Sequence, residues 1–216
     1  MRISSLFSIL LFVVVLALLC WGGLSLHMRT TTVHAKSNDK QRVYPIFTKA
    51  IILIPLGEST SPLLVKSTYQ KLKVFLPQLQ LRETVALPRM AFYPARNRYR
   101  ADSLIAWMSR MAKSNDVYIG ITDVDISTTK GSHTDWGVMG LAYRPGSAAI
   151  ASSFRMKNKA AFWKVAIHEL GHTTGLPHCP VKTCFMRDAD GGDPTSDERE
   201  FCSKCKAVLV QNGWKL

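Results

Sequence analysis

The sequence predicts an α/β domain, a mixed twisted sheet with packed helices, preceded by an N-terminal hydrophobic helix for export or anchoring. Three observations lead there. Apolar runs of strand length alternate with stretches of helical periodicity, the pattern of crossover units around a largely parallel sheet. Later, two apolar runs are joined by four residues containing Pro and Gly, as in an antiparallel hairpin. A chain of 216 residues with 47% hydrophobic content fills one sizeable core rather than two.

At the N-terminus, Met1 and Arg2 precede an uncharged stretch from Ser4 to Leu26, and Val33-His34-Ala35 follows. A positive start, an apolar run and a small-residue site fit a secretory signal peptide over residues 1–35. The run from Leu6 to Leu26 is also 21 residues, and about 20 apolar residues span a bilayer, so an uncleaved membrane anchor stays open. Either way the remainder is expected to be extracytoplasmic, secreted or membrane-anchored. Residues 36–49 are polar and charged and suit a tether, leaving residues 50–216 for the domain.

The elements follow in order. Ala50 to Gly57 is a short Ile-rich run closed by Pro and Gly, as expected of a strand buried on both faces. Ser59, Thr60 or Ser61 can cap a helix with Pro62 in its first turn, whose stripe is Leu63, Leu64, Tyr69, Leu72 and Phe75. Glu83 to Pro88 is a candidate short strand. Ala101 to Ser114 is amphipathic, with Leu104, Ile105, Met108 and Met111 inward, and Asn115 to Ser127 restarts as a strand. Trp136 to Tyr143 and Ala148 to Arg155 form the expected hairpin, giving antiparallel strands near one sheet edge. Helix formers then run from Lys159 to His172, capped by Asn158 and terminated by Gly175.

The formal net charge is +13, and without residues 1–35, which hold Arg2, Arg29 and no acid, it is +11. The basic residues are scattered singly with no interleaved aromatic run. That describes a solvated surface, and no nucleic-acid partner is expected.

The last helix carries the chemistry, in "HELGHTTGLPHC", residues 168 to 179. His168 and His172 are one turn apart on one helical face, a rigid two-imidazole platform. Gly175 lets the chain turn back so that His178 supplies a third nitrogen, and Pro177 stiffens the return. Three neutral nitrogens leave one zinc position open, which separates a catalytic site from a closed structural one. Glu169 is beside the first ligand, is not itself needed for binding, and is placed to act as a general base.

The pattern H-E-x-x-H-x-x-G-x-x-H resembles the metzincin clan of zinc endopeptidases. The continuation, Cys179 directly after His178, then Cys184, Phe185 and Met186, then Cys202 and Cys205 as C-x-x-C, resembles the archaemetzincins, or archaelysin-type peptidases. The resemblance covers Ala161 to about Lys206. It implies a single metzincin-like catalytic domain hydrolysing peptide bonds and two Zn2+ ions. His168, His172 and His178 would hold the catalytic zinc, with Glu169 as base and Met186 in a tight turn beneath it. Cys179, Cys184, Cys202 and Cys205 would bind the second, structural zinc. This sequence departs from the family in its export segment and in a short acidic stretch between Met186 and Cys202. Outside the cytoplasm, disulfides joining Cys179 to Cys184 and Cys202 to Cys205 are the competing chemistry. "DADGGD" (188–193) has glycine and aspartate in the wrong places for an EF-hand and is expected to be a solvated turn.

By the same resemblance, an extended peptide or protein substrate pairs with an edge strand. Gly137, Val138, Met139 and Gly140 are the candidate, the glycines either permitting close backbone approach or marking a bulge or merely a mobile edge. A second function class is an exported zinc-stabilised binding module with a vestigial active site. An intact Glu169 favours the peptidase, because a pure binding site has no use for a base there.

Overall fold

The structure is a computed structural model that describes residues 50–113 and 115–216. The signal or anchor expected over 1–35 and the tether over 36–49 lie outside these residues. Among the described residues no helix is long and apolar enough to cross a membrane.

The domain is built on a five-stranded sheet. Strand β1 (Ile51–Pro55) is followed by helix α1 (Pro62–Phe75) and a two-residue strand β2 (Gln80–Leu81). After β3 (Phe92–Tyr93) and β4 (Arg98–Arg100) comes helix α2 (Ala101–Met111). Then follow β5 (Val117–Thr122), β6 (Ile126–Lys130), β7 (His133–Val138), β8 (Gly140–Ala142) and β9 (Ala148–Ser152). Helices α3 (Phe162–Thr173) and α4 (Ser203–Gln211) complete the chain. The main sheet runs β2-β1-β5-β9-β8, parallel except for β8, which pairs antiparallel with β9 at the edge. A smaller sheet runs β3-β4-β6-β7.

Period-two alternation sends each central strand into two cores. Ile51 and Leu53, Ile119 and Ile121, and Ala149 and Ala151 face α1, α3 and α4. Ile52 and Ile54, Tyr118, and Ala148 and Ile150 face α2. Continuous apolar runs in β1 and β5 follow from this, since both faces are covered.

Five expectations are corrected. In α1 the inward stripe is Leu64, Thr68 and Leu72, at four-residue steps, and Leu63 points to solvent at 76% exposure. Glu83 to Pro88 does not form a strand. Val85 makes a single bridge to Leu56, and the ladder beside β1 is instead Gln80–Leu81, since the segment before Pro88 has no alternating apolar face to bury. In α2 the helix stops at Met111, which is exposed, so the inward set ends at Met108. The run 115–127 is two strands, because the chain bends after Thr122, whose hydroxyl donates to the Leu56 carbonyl, and Ile126 enters the second sheet.

The hairpin is also divided. β7 pairs with β6 in the second sheet, and only Gly140–Ala142 pairs with β9, so Met139 is the hinge between sheets. A buried ion cluster fixes that crossing. Asp125 accepts from Arg155 at 2.7 and 2.9 Å and pairs with Arg98 at 3.0 Å, while Arg98 reaches Asp135 of β7 at 3.2 Å. The Arg155 guanidinium lies against Gly137, where a Cβ would stand 2.1 Å from it. Gly137 therefore serves close side-chain packing. Before α3, Lys159–Ala161 forms a 3-10 turn, and the Asn158 side chain accepts from the Ala160 amide.

Candidate metal and catalytic site

Helix α3 is buried around most of its circumference, so its side chains are held by packing. It ends at Thr173, and Gly175, at φ +100°, takes the left-handed conformation that reverses the chain. The return brings His178 to the two helical histidines. Ring centroids stand 4.6 Å apart for His168 and His172, 4.8 Å for His172 and His178, and 5.3 Å for His168 and His178. One nitrogen from each lies within 4.8 Å of the others, so the three rings converge on a volume that one ion can fill.

Each ring also has a fixed orientation. His168 Nδ1 donates to the Phe185 carbonyl at 2.7 Å, and His172 Nδ1 to the Leu176 carbonyl at 2.7 Å. His178 Nδ1 lies 3.0 Å from an Asp188 carboxylate oxygen. With every Nδ1 facing an acceptor, every Nε2 is left with its lone pair, the tautomer that a metal ligand needs. Burial, and then the neighbouring His172, hold the His168 ring down to about 3, and burial also lowers His172, so both are neutral donors. This donor set fits zinc: three imidazoles, oriented by carbonyls and a carboxylate, and no fourth protein donor in the group.

Asp188 is the functional residue that sequence reasoning missed, since its stretch reads as a solvated turn. The Asp190 amide donates to it at 3.0 Å, and this bond, with His178 and Lys130, keeps its carboxyl below the usual range although burial opposes. The only signal available was an acid two residues past Met186. Opposite, Lys130 sits 5.4 Å from the centroid of the half-exposed Trp136 ring, which Gly191 adjoins at the limit of contact.

Glu169 is 6% exposed and burial pushes its carboxyl up to about 8. A divalent cation beside it works in the other direction, favouring the carboxylate. Its neighbour across the gap is the edge strand: a Cβ on Gly140 would stand 2.3 Å from Glu169 Oε1. The space beside Gly140 is taken by the acid of the motif. Val138 packs against the α2-side core, and the Met139 carbonyl accepts from the Ser152 amide at 2.7 Å.

Met186 is fully buried in the turn closed by the Arg187 amide donating to the Cys184 carbonyl at 3.0 Å. Its sulfur packs on α3 at Gly171, where a Cβ would be 2.4 Å away. The same turn delivers the Phe185 carbonyl to His168. Beside it, the sulfurs of Cys179, Cys184, Cys202 and Cys205 lie within 4.8 Å of one another, with Cys179 and Cys202 3.6 Å apart. No disulfide joins them. Zinc–thiolate bonds of about 2.3 Å at tetrahedral angles put sulfurs about 3.8 Å apart, so the cluster has the dimensions of a four-sulfur zinc site. Burial raises the Cys184 and Cys205 thiols, and a cation is what would let them ionise together.

Known proteins bear on this geometry. A sequence model of peptidase family M54 matches residues 59–211. The archaemetzincin of Haloquadratum walsbyi is 26% identical over 178 residues, covering 73% of this chain and 97% of that protein. The archaemetzincin of Nanoarchaeum equitans is 31% identical over 129 residues, 59% of this chain and 72% of that protein. The crystal structure of archaemetzincin from Methanopyrus kandleri superposes with a TM-score of 0.64 at 24% identity, covering 78% of this chain and 97% of that one, which shows a shared fold. With the M54 match spanning most of the described domain, the chain belongs to peptidase family M54, the archaemetzincins, and is a zinc metallopeptidase.

Proposed function

We propose that the protein hydrolyses peptide bonds at a zinc held by His168, His172 and His178, with Glu169 as general base. The observation that carries this reading is the set of three Nδ1 contacts, to Phe185, Leu176 and Asp188, which leave three Nε2 atoms to one ion beside a buried carboxyl. Zinc, when bound, supplies a Lewis acid that acidifies water and polarises a carbonyl. Glu169 takes the proton from the attacking water and passes it to the leaving amine. Strand β8, on the sheet edge, presents main-chain groups to an extended peptide, and Gly140 lets that strand lie against Glu169. Met186 supports the platform from below at Gly171. The four cysteines hold a second zinc, and an extracytoplasmic location, with residues 1–35 as signal or membrane tether, completes the proposal. A vestigial binding module is less well supported, since it gives no reason to keep a carboxyl buried against the open side of the histidine group.

Elemental analysis of the purified protein, with peptide cleavage before and after chelation, tests this. The expected result is two zincs per chain and activity that chelation removes and zinc restores. Two variants probe the supports. Gly140→Ala pushes a methyl group into the Glu169 carboxyl and is expected to lower kcat roughly tenfold to hundredfold with little change in KM. Cleavage kinetics at the wild-type rate would show that this contact does not position Glu169. Asp188→Asn removes the charged acceptor from His178 and is expected to weaken zinc binding about 10- to 100-fold, read by competition with a chromogenic chelator. An unchanged affinity would reduce Asp188 to a surface acid.

A further inference from the structure

The stripe of α3 that carries His168 and His172 begins one turn earlier, at Lys164, since positions 164, 168 and 172 follow at four-residue steps along one helical face. Lys164 is partly buried, and its ammonium donates to two backbone carbonyls, those of Thr195 and Glu198, the second at 2.7 Å. Both carbonyls belong to buried residues. They lie in and just after the 3-10 turn Pro194–Ser196, which Asp193 caps by accepting from the Thr195 amide at 3.1 Å. A charged donor on two carbonyls makes Lys164 a polar clasp that fastens this segment to the helix of the histidines.

The clasped segment is joined in turn to the run that fixes the rings. The Arg199 amide donates to the Thr183 carbonyl at 2.8 Å, and the Phe185 amide to the Glu200 carbonyl at 3.0 Å. Asp197 pairs with Arg187 at 3.0 Å. Arg187 is followed directly by Asp188, whose carboxylate faces His178 Nδ1 at 3.0 Å. The need for such a tie is particular to that ligand. His168 and His172 are set by the helix they share, whereas the His178 and Asp188 side chains are 46% and 53% exposed, so core packing holds them less. Both ends of the route therefore rest on α3: Lys164 sets where the acid arrives, and His168 and His172 set where the third ring must meet them.

We propose that Lys164 is a positioning residue for the third zinc ligand, holding Asp188 against His178 through the 195–198 segment and Arg187. This rests on the zinc reading of the histidine group and adds the residue that registers the ligand off the helix with the two on it.

Lys164→Met keeps the length of the side chain and removes its donors. With zinc left on the cysteines, the histidine site of this variant is expected to bind zinc about tenfold more weakly than wild type, read by competition with a chromogenic chelator. Cobalt at the same site is expected to give an altered visible spectrum at a temperature where both proteins are fully folded. A change in stability alone would move Tm and leave that spectrum as it is. In Asp188→Asn protein, where the charged acceptor is already lost, Lys164→Met is expected to cost about twofold or less in addition. Wild-type affinity and spectrum in Lys164→Met, or losses that multiply in the double variant, overturn the proposal. Should Lys164→Met not fold, Asp197→Asn cuts the same route at the surface and is expected to weaken zinc binding about threefold, and an unchanged affinity there overturns it equally. If no ion binds the histidines of wild type, the zinc reading fails. Lys164 is then judged on metal-free protein by the His178 Nδ1–H resonance in proton NMR, expected in wild type and lost in Lys164→Met, and a resonance that persists in the variant overturns the positioning role.

Discussion

Glu169→Gln is expected to lower kcat/KM for peptide cleavage by about 10³-fold while leaving both zincs in place. General-base assistance contributes roughly 10² to 10⁴ in rate. Glutamine keeps the size of a buried side chain packed against Gly140 and removes its ability to take a proton. Because Glu169 is not one of the three converging nitrogen donors, zinc content should stay at the wild-type value. Loss of zinc together with activity would mean that Glu169 supports the platform rather than the proton transfer. Equal activity in the two proteins would remove Glu169 from the mechanism.

Cys205→Ser is expected to give one zinc per chain in place of two and a marked fall in thermal stability. Zinc bound to the native state at about 1,000 times its Kd stabilises it by about 4 kcal/mol. For a domain of this size each kcal/mol moves Tm by roughly 2–4 °C, so a fall of roughly 8–16 °C follows. The cluster is also part of the core, with Cys184 and Cys205 buried beside Phe185, Phe201 and Trp214. Phe185 and Phe201 meet edge to face at 5.1 Å, and Phe201 meets Trp214 at 5.8 Å. Since Cys184 is followed by the Phe185 carbonyl that orients His168, activity should fall with stability. Should the variant not fold, thiol titration of chelated, unfolded wild type without reductant decides the matter. Four reactive thiols from this cluster support zinc, and none would establish the disulfides instead.

The two buried glycine contacts show why chain order and spacing stop short of the site. Helical periodicity placed His168, Glu169 and His172 on α3, and Gly175 marked the reversal, because these depend on backbone geometry within one or two turns. That Gly140 lies on Glu169 and Gly171 on Met186 depends on which strands neighbour which helix. The divided hairpin illustrates the same limit. Trp136 to Ala142 is one apolar run in sequence, and only the Arg98–Asp125–Arg155 cluster and the two competing sheets cut it at Met139.

By itself the sequence determined the α/β class, the three-histidine donor set with its acid and the four-cysteine spacing, since each is written in local periodicity or in side-chain chemistry. Only the tertiary structure decided that Asp188, Phe185 and Leu176 hold the rings and that Met186 packs under α3. The physical reason is that orientation of a ligand ring is set by acceptors brought in from other segments, many of them backbone carbonyls, which every residue carries and no side-chain pattern announces.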